Sequence, residues 1–489
     1  MRNALPFDLI PTMADIEKNR PGVQANLLHV MELLRKQRLA AELAQRQELP
    51  RRESADVAEK HGFSELRQKL DQLHPADVAY LLESLPLDER LIVWELVRAE
   101  RDGEILLEVS DAVRESLIAH MENTELVKAA EQLDTDEIAD LAPDLPREVM
   151  QDVFRSLSVE ERDQLRAAMS YPEDAVGGLM DFDMITIRDD ITVEVVLRYL
   201  RRLDEMPDHT DQIFVVDREM HLRGLLPTSR LLVTDLDVPV TQIMSAEPIR
   251  FMPDEKAQDA ALAFERYDLV SAPVVDAGGK LIGRVTVNDV VDFIREESES
   301  EMLSAGGLRE EEDLFASVWS SVKNRWTWLA INLVTAFIAS RVIGAFENSI
   351  GKLAALAALM PIIAGIGGNS GNQTITMIVR ALALNQITLA NARKLFAKEI
   401  GVSFINGLLW GAVVGLFAYL IYHSIPLGLV MTGAMVLNLL LAAIMGVTIP
   451  LVMQKLGRDP AVGASVMITA ITDSGGFFIF LGLATIFLV

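Results

Sequence analysis

The stretch PIIAGIGGNSGNQ, residues 361–373, lies in a run with no charged residue between Lys352 and Arg380, long enough to cross a bilayer as a helix. It nevertheless holds four glycines, two asparagines and a glutamine. Glycine weakens a helix relative to alanine, and an amide left in hydrocarbon without a partner is costly. A plain anchor calls for neither. The stretch is therefore a close-packing surface or the wall of a path for something polar, and the apolar runs around it make the last third of the chain a helical membrane region.

Uncharged runs mark five spans, at about 326–346, 353–379, 400–422, 427–454 and 460–489. Arg341 interrupts the first, where an arginine near a helix end can snorkel to the interface. Lys323 and Arg325 precede span one, Arg393, Lys394 and Lys398 fall between spans two and three, and Lys455 and Arg458 between four and five. By the positive-inside rule the N-terminus is cytoplasmic and the C-terminus outside. One carboxylate falls mid-span, Asp473 in ITAITDSGGFFIFLGL. A central Asp costs about 2.5–3.5 kcal/mol on insertion scales, so it usually faces a bundle interior or an aqueous path. The plainer alternative is an Asp capping a helix break at DSGG. A carboxylate lining a pore attracts cations, and Mg2+, which sheds water reluctantly, suits one or two acids set among carbonyls and amides. Gly365, Gly367, Gly368 and Gly371 would let backbone approach such a path, Pro361 would free a carbonyl, and Asn369, Asn372 and Gln373 would add amide groups. For the glycines alone, helix packing is the simpler reading. Packing does not require the amides, which could instead bond across helices.

Charge divides the chain. Its 489 residues carry a net −26 and no cysteine, and several domains are expected at this length. From Trp326 onward eight basic residues outnumber four acidic ones, so the first 325 residues carry −30. Such an acidic part argues against nucleic acid, whose backbone bears the same sign, and suits a protein that meets cations. Without cysteine, disulfides and thiolate metal sites are excluded, in keeping with a reducing cytosol. The opening MRNALPFDLIPTMADIEKNR lacks the basic-then-apolar pattern of a signal peptide, which leaves residue 1 in the cytoplasm.

Two internal repeats order the acidic part. Residues 1–61 read as a charged helical extension with a solvated amphipathic face. QLHPADVAYLLESLP begins at Gln72 and QLDTDEIADLAPDLP at Gln132, each with leucines at helical spacing and a Leu-Pro stop, which predicts a helical repeat domain over about 62–158. IFVVDREMHLRGLLPTSRLL from Ile213 and APVVDAGGKLIGRVTVNDVV from Ala272 each give strand, turn, strand and helix. The pattern hydrophobic-Gly-hydrophobic-hydrophobic-Thr/Ser-x-x-Asp resembles a CBS pair, placed at 159–294 with copies at about 179–236 and 243–294. The second copy, Gly283 to Asp289, matches in full, and the first ends in Arg230 where the pattern has Asp. A charged helical connector, 295–325, leads to a transmembrane domain at 326–489.

The run from Pro361 to Gln373, Asp473 in the last span, a CBS pair before the membrane and a helical repeat before that together resemble the MgtE family of magnesium transporters, over about 62–489. The resemblance implies a multidomain fold: an α-helical superhelical N domain, an α/β CBS-pair domain, a connecting helix and a five-span α-helical transmembrane domain. It also implies a homodimeric, magnesium-selective channel of the cell (inner) membrane whose acidic cytosolic domains bind Mg2+ and close the pore when Mg2+ is plentiful. Asp473 would then hold the hydrated ion beside the carbonyls of Thr469 and Ala470. Asp136 and Asp140, four apart on one helix face, match an acidic pair of the helical domain. Asp268, Asp289, Asp292, Glu297, Glu301 and Asp459 match acids at domain contacts and at the cytoplasmic mouth. Taken singly, each is more simply a solvated surface acid, and the set is more credible than its members. Lys256 and Gln258 stand where relatives carry further acids, so the sensor would hold fewer ions or use other carboxylates. Arg230 replaces an Asp suited to ribose hydroxyls, which weighs against ATP, while Thr286 and Asp289 keep that ligand open.

Other function classes fit less well. A transporter of an anionic or organic solute would place basic residues or broken-helix N-termini at mid-membrane, and the central charge here is acidic. A membrane enzyme would need a nucleophile–base pair or metal cluster, yet the chain has no P-loop and no H-E-x-x-H. His423, in an outer loop, reads as a surface residue. Another divalent cation, Co2+ or Mn2+, remains the nearest alternative cargo.

Overall fold

Leucines at helical spacing give a series of helices, of which α3 and α8 are followed by the Leu-Pro pairs at 85–86 and 145–146: α1 (Val23–Arg46), α2 (residues 63–70), α3 (Pro75–Glu83), α4 (Leu87–Trp94), α5 (Asp102–Glu108), α6 (Asp111–Ile118), α7 (Asn123–Ala130), α8 (Thr135–Leu141), α9 (Arg147–Ser156) and α10 (Val159–Ala168). This architecture is that of a computed structural model, which describes residues 22–46, 63–203, 206–308, 313–383, 386–387, 389–458 and 463–489. Capping sets the helix starts: the Asp134 backbone N–H donates to the Glu137 carboxylate at 2.9 Å, and Ser158 and Glu161 cap each other reciprocally. The apolar faces share one core in which Leu81, Leu82, Leu85, Ile105 and Leu117 are wholly buried. Val30, Leu33 and Leu34 of α1 belong to that core too, which corrects the expectation of a solvated face before residue 62. Their i, i+3, i+4 spacing is a stripe wide enough to dock the helix.

In the next domain β1 (Thr186–Arg188) lies parallel and β3 (Leu222–Pro227) antiparallel to the central β2 (Gln212–Val216). β4 (Ser271–Val275) and β5 (Leu281–Thr286) form an antiparallel pair, which Phe251 joins in parallel at Val274. Helices α11 (Val193–Leu200), α12 (Thr228–Val233), α13 (Val240–Ile243), α14 (Ala257–Tyr267) and α15 (Val287–Gly306) complete the copies. The opening segment of each copy crosses to the sheet of the other. Asp181 and Arg284 exchange backbone hydrogen bonds of 2.8 and 2.9 Å, and Ser245 and Leu225 do the same at 2.7 and 3.0 Å. The crossing explains the repeated strand glycine. A Cβ on Gly283 would lie 2.3 Å from Met180, and one on Gly224 would lie 2.5 Å from the Ser245 carbonyl.

Of the described residues, those up to Glu297 together with Asp313–Ala316 form one unit and the rest another. α15 stops at Gly306, well short of residue 325. Gly307 has φ +81°, and a Cβ there would meet the Trp328 indole at 2.2 Å, so the helix ends where glycine is required. Then come α16 (Val318–Ala345), capped by Ser317, α17 (Glu347–Lys352), α18 (Ala355–Ala383), α19 (Leu389–Tyr422), α20 (Ile425–Lys455) and α21 (Ala464–Phe487). Among the described residues, α16, α19, α20 and α21 are the four helices long and apolar enough to cross a membrane. α18 has the length, 29 residues, but carries the glycines and amides of residues 365–373. α20 packs against α18, α19 and α21, with Met431, Ala434, Met435 and Ala442 wholly buried. Gly407, Gly411 and Gly415 bring α19 close to it, and the Thr432 hydroxyl donates to the Gly411 carbonyl at 2.9 Å.

Candidate functional site

Two groups of residues qualify, one in each unit. In the first unit α8 presents Asp136 and Asp140 one turn apart. Opposite Asp136 stand Asp181 and Asp289, and opposite Asp140 stand Glu296 and again Asp289. Burial, then Asp181, pushes the Asp136 carboxyl up to about 8. Burial, then Glu296, pushes Asp140 to about 7 against the pull of Arg114. Asp140 still reaches solvent, so protein crowds around it without sealing it. Burial lifts Asp289 to about 6, although Thr286 donates to it through N–H at 2.8 Å and Oγ1 at 2.9 Å. Asp134, Glu137, Asp181, Asp183 and Glu296 are raised too, burial coming first in each. Asp181 stays raised even though Arg284 Nε donates to it at 2.7 Å. Acids that resist ionisation together will take up protons or a divalent cation. The donor set is all oxygen, as hard cations prefer.

In the second unit α21 is helical without interruption from Ala464 to Phe487, so Asp473 caps no helix break. Asp473 is half-buried, with exposed Thr469 one turn earlier and Ala470 half-buried beside it. Glycines bring three helices together here. A Cβ on Gly367 would lie 2.2 Å from the Asn438 amide, one on Gly476 2.7 Å from the same group, and one on Gly371 2.4 Å from Ile468. Asn438 Nδ2 donates to the Ile363 carbonyl at 2.9 Å, while its buried Oδ1 has no partner among the described residues. The opposite face of α18 differs. Pro361, Gly365, Asn369 and Gln373 recur every four residues and are exposed. A Cβ on Gly365 would meet nothing within 4 Å, whereas Gly368 is buried on the packing side, where a Cβ would touch Thr472 Oγ1 at an ordinary 3.6 Å. Asn372 is half-buried between the faces, its carbonyl accepting from Thr376 Oγ1 at 3.0 Å. The motif thus has a packing face and a polar face that the described residues of the chain leave uncovered.

Comparison with known proteins covers all of these parts. The family model for the MgtE divalent cation transporter matches residues 360–483, that for the MgtE intracellular N domain 73–174, and that for the CBS domain 240–296. A magnesium transporter MgtE of Thermus thermophilus is 30% identical over 432 residues, 86% of this chain and 95% of that protein. The chain belongs to the MgtE family. A Bacillus subtilis magnesium transporter MgtE is 23% identical over 87% of this chain and 94% of that protein. Among solved structures, the cytosolic domain of the Mg2+ channel MgtE in complex with ATP is 30% identical, covering 49% of this chain and 97% of that one, with a TM-score of 0.44.

Of the acids that the MgtE resemblance points to, the structure gathers Asp136, Asp140 and Asp289. Asp268 is exposed and ends α14 in the left-handed region, at φ 51°. Asp292 is exposed and pairs with Arg295 at 3.8 Å, and Glu297 and Glu301 lie exposed farther along α15. Asp459 lies outside the described residues. Asp181, Asp183 and Glu296 escaped the sequence reading, because which acids oppose α8 depends on domain docking. Asn438 and Glu399 also escaped it. Glu399, 5% exposed, accepts from Thr374 Oγ1 at 3.4 Å and pairs with Lys398 at 3.3 Å. A lone amide in AMVLNLLLA and an acid heading a span were the available signals. Arg230, the departure in the first CBS copy, donates to the Ile243 carbonyl at 2.7 Å. Asp217, Glu219 and His221 also cluster. There Asp217 accepts from the Glu219 and His221 backbones at 3.0 and 2.9 Å and pairs with Arg223 at 2.9 Å, the pattern of a hairpin turn.

Proposed function

We propose that this MgtE-family chain is a magnesium-selective channel that passes Mg2+ into the cytoplasm down its electrochemical gradient and closes when cytosolic Mg2+ bridges the acidic domains. The observation that carries the reading is Asp473, a carboxylate midway along α21, a helix that packs against motif helix α18. An acid there attracts cations, and Thr469, Asn369, Asn372 and Gln373 offer oxygens to the water that Mg2+ retains. A second copy of the chain would cover the polar face of α18. If it brought two Asp473 carboxylates together, an ion between them would offset their repulsion. In this reading the N-terminus and acidic domains are cytoplasmic, the C-terminus is outside, and the protein sits in the cell (inner) membrane. An inside-negative potential contributes about 4.6 kcal/mol per 100 mV for a divalent ion. A gate swinging from mostly open to mostly closed needs roughly 5.5 kcal/mol of differential binding, which several weak acidic sites supply more readily than one. A nucleotide bound at Asp289 would have to compete with Thr286.

The test is Mg2+ uptake into liposomes by wild type and Asp473→Asn, with internal Mg2+ low and then high. Wild type should conduct only when internal Mg2+ is low, and the variant should lose flux or selectivity, with Co2+ and Mn2+ as competitors. Unchanged transport by Asp473→Asn would remove Asp473 from the ion path.

A further inference from the structure

Two arginines of the helical domain make the same connection. Arg114, the fourth residue of α6, donates through Nε to the Leu106 carbonyl at 2.9 Å and through Nη2 to the Val109 carbonyl at 3.3 Å. Arg90, the fourth residue of α4, donates to the Leu82 carbonyl at 2.8 Å and the Leu85 carbonyl at 3.1 Å. Both reach eight and five residues back. They are one device of the helical repeat, closing the carbonyl end of the preceding helix. A guanidinium so placed also wants a carboxylate. Arg114 has Asp111 at 3.4 Å and, thirty residues on, Asp144 at 3.3 Å. The equivalent positions for Arg90 are Leu87 and His120, and His120 Nδ1 lies 2.7 Å from the Ser116 carbonyl. The repeat therefore supplies no acid at Arg90.

Arg90 is nonetheless 0% exposed. Its acid comes from 223 residues away: Nη1 donates to Asp313 Oδ2 at 2.7 Å and Nη2 to Asp313 Oδ1 at 3.0 Å, with Ser116 Oγ at 3.2 Å. Against the upward push of burial, Arg90 and the Phe315 N–H hold the Asp313 carboxyl below the usual range. Asp313–Ala316 thus belong by contact to the helical domain, while Ser317, the next residue, caps membrane helix α16.

We infer that Arg90 and Asp313 form a tether, independent of any bound cation, through which the helical domain holds the entrance to α16; the inference rests on the proposed Mg2+-closed gate. Among the described residues, the helical domain then meets the chain leaving the CBS pair near Asp289 and Glu296 and again at Asp313. At Asp136 and Asp140, facing Asp289 and Glu296, acids outnumber cations, and in the proposed gate Mg2+ supplies the missing positive charge. At Asp313, Arg90 brings its own charge in a bidentate, buried pair that salt screens little. Movement of the helical domain as the acid cluster gains or loses Mg2+ is therefore passed to residue 313 and on to α16. Arg90 and Asp313 are positioning residues, not ion ligands.

The test uses the full chain in liposomes, measuring flux against internal Mg2+ for wild type, Asp313→Asn, and a variant with a short Gly-Ser insertion between Ala316 and Ser317. The insertion leaves the ion pair intact and slackens only the connection, so it decides the question even if Asp313→Asn fails to fold. Both variants should conduct at low internal Mg2+, and the Mg2+ midpoint for closing should rise about tenfold, within the range of allosteric couplings. Protection of the acidic domains from protease by Mg2+ should keep its wild-type midpoint, which a general loss of structure would not. A wild-type closing midpoint in either conducting variant overturns the tether. Absence of closing in wild type would strike the gating reading itself, and the tether with it.

Discussion

Gly365 and Gly367 stand two positions apart on α18 and do different work. A Cβ on Gly367 would intrude to 2.2 Å from the Asn438 amide, a buried group already bonded to Ile363. Overpacking of this kind costs about 1–3 kcal/mol, so Gly367→Ala should lower the melting temperature in detergent. Gly365→Ala meets nothing within 4 Å and replaces the poorer helix former, so its stability should hold or rise slightly, by up to about 1 kcal/mol. Its flux is the informative quantity. A drop at unchanged stability would mark the face of Gly365, Asn369 and Gln373 as the ion's path, whereas full flux would assign that face another role. Equal loss of stability in both variants would contradict the two-faced geometry. The oddity of the glycines and amides was legible in the sequence, while the exposed face that Pro361, Gly365, Asn369 and Gln373 share emerged only with the helix packing. What the sequence did not record is that Gly367 and Gly371 answer to Asn438 and Ile468, residues of other helices.

At the scale of the element, α8 sets a pH dependence. Its Asp136 and Asp140 carboxyls are pushed to about 8 and about 7 from a usual 3.8, burial first and neighbouring acids second. An acid whose folded pKa is raised binds protons more tightly in the folded arrangement than in the unfolded chain, so protonation stabilises that arrangement at low pH and the benefit is lost as pH climbs through the range up to about 8. With a chelator present, thermal stability and protease resistance of the full chain should therefore fall from mildly acidic to mildly alkaline pH. Asp136→Asn should flatten the slope, and saturating Mg2+, taking the place of the protons, should flatten it in wild type. Resistance that rises with pH would mean the cluster meets more protein cations than Arg114 and Arg284. The spacing of Asp136 and Asp140 on one helix face is a local pattern and could be read directly. Asp181 and Glu296 could not, because they come to α8 only through docking of one domain on another. The end of α15 was hidden for a similar reason: Gly307 is required by Trp328, a residue of the following helix.

At the scale of the whole molecule, the uneven charge is the feature the sequence disclosed most fully, with −30 on the first 325 residues and a small positive excess beyond them. The helical repeat, the CBS pair and an apolar helical C-terminal region could be read from periodicity and composition, which act locally, although four helices rather than five are long and apolar enough to cross a membrane among the described residues. The contact between Arg90 and Asp313 did not, because it joins positions 223 residues apart and replaces an acid that the repeat would otherwise supply. The two kinds of contact differ in how salt reaches them. Partly exposed acids repel across water, where screening acts within about 10 Å at 0.1 M salt and about 3 Å at 1 M, whereas a buried bidentate pair is largely shielded. Raising monovalent salt in the presence of chelator should therefore make the acidic domains more protease-resistant, as screening replaces part of what Mg2+ would do in the proposed gate. The same salt should raise the Mg2+ midpoint for protection, because it weakens the attraction that concentrates Mg2+ near the acids. The two shifts, read in one titration series, belong together if diffuse charge drives compaction. If the midpoint stays fixed while salt is raised, closure depends instead on a few tight sites among Asp136, Asp140, Asp289 and Glu296, and the excess negative charge of the rest of the domain serves some other end.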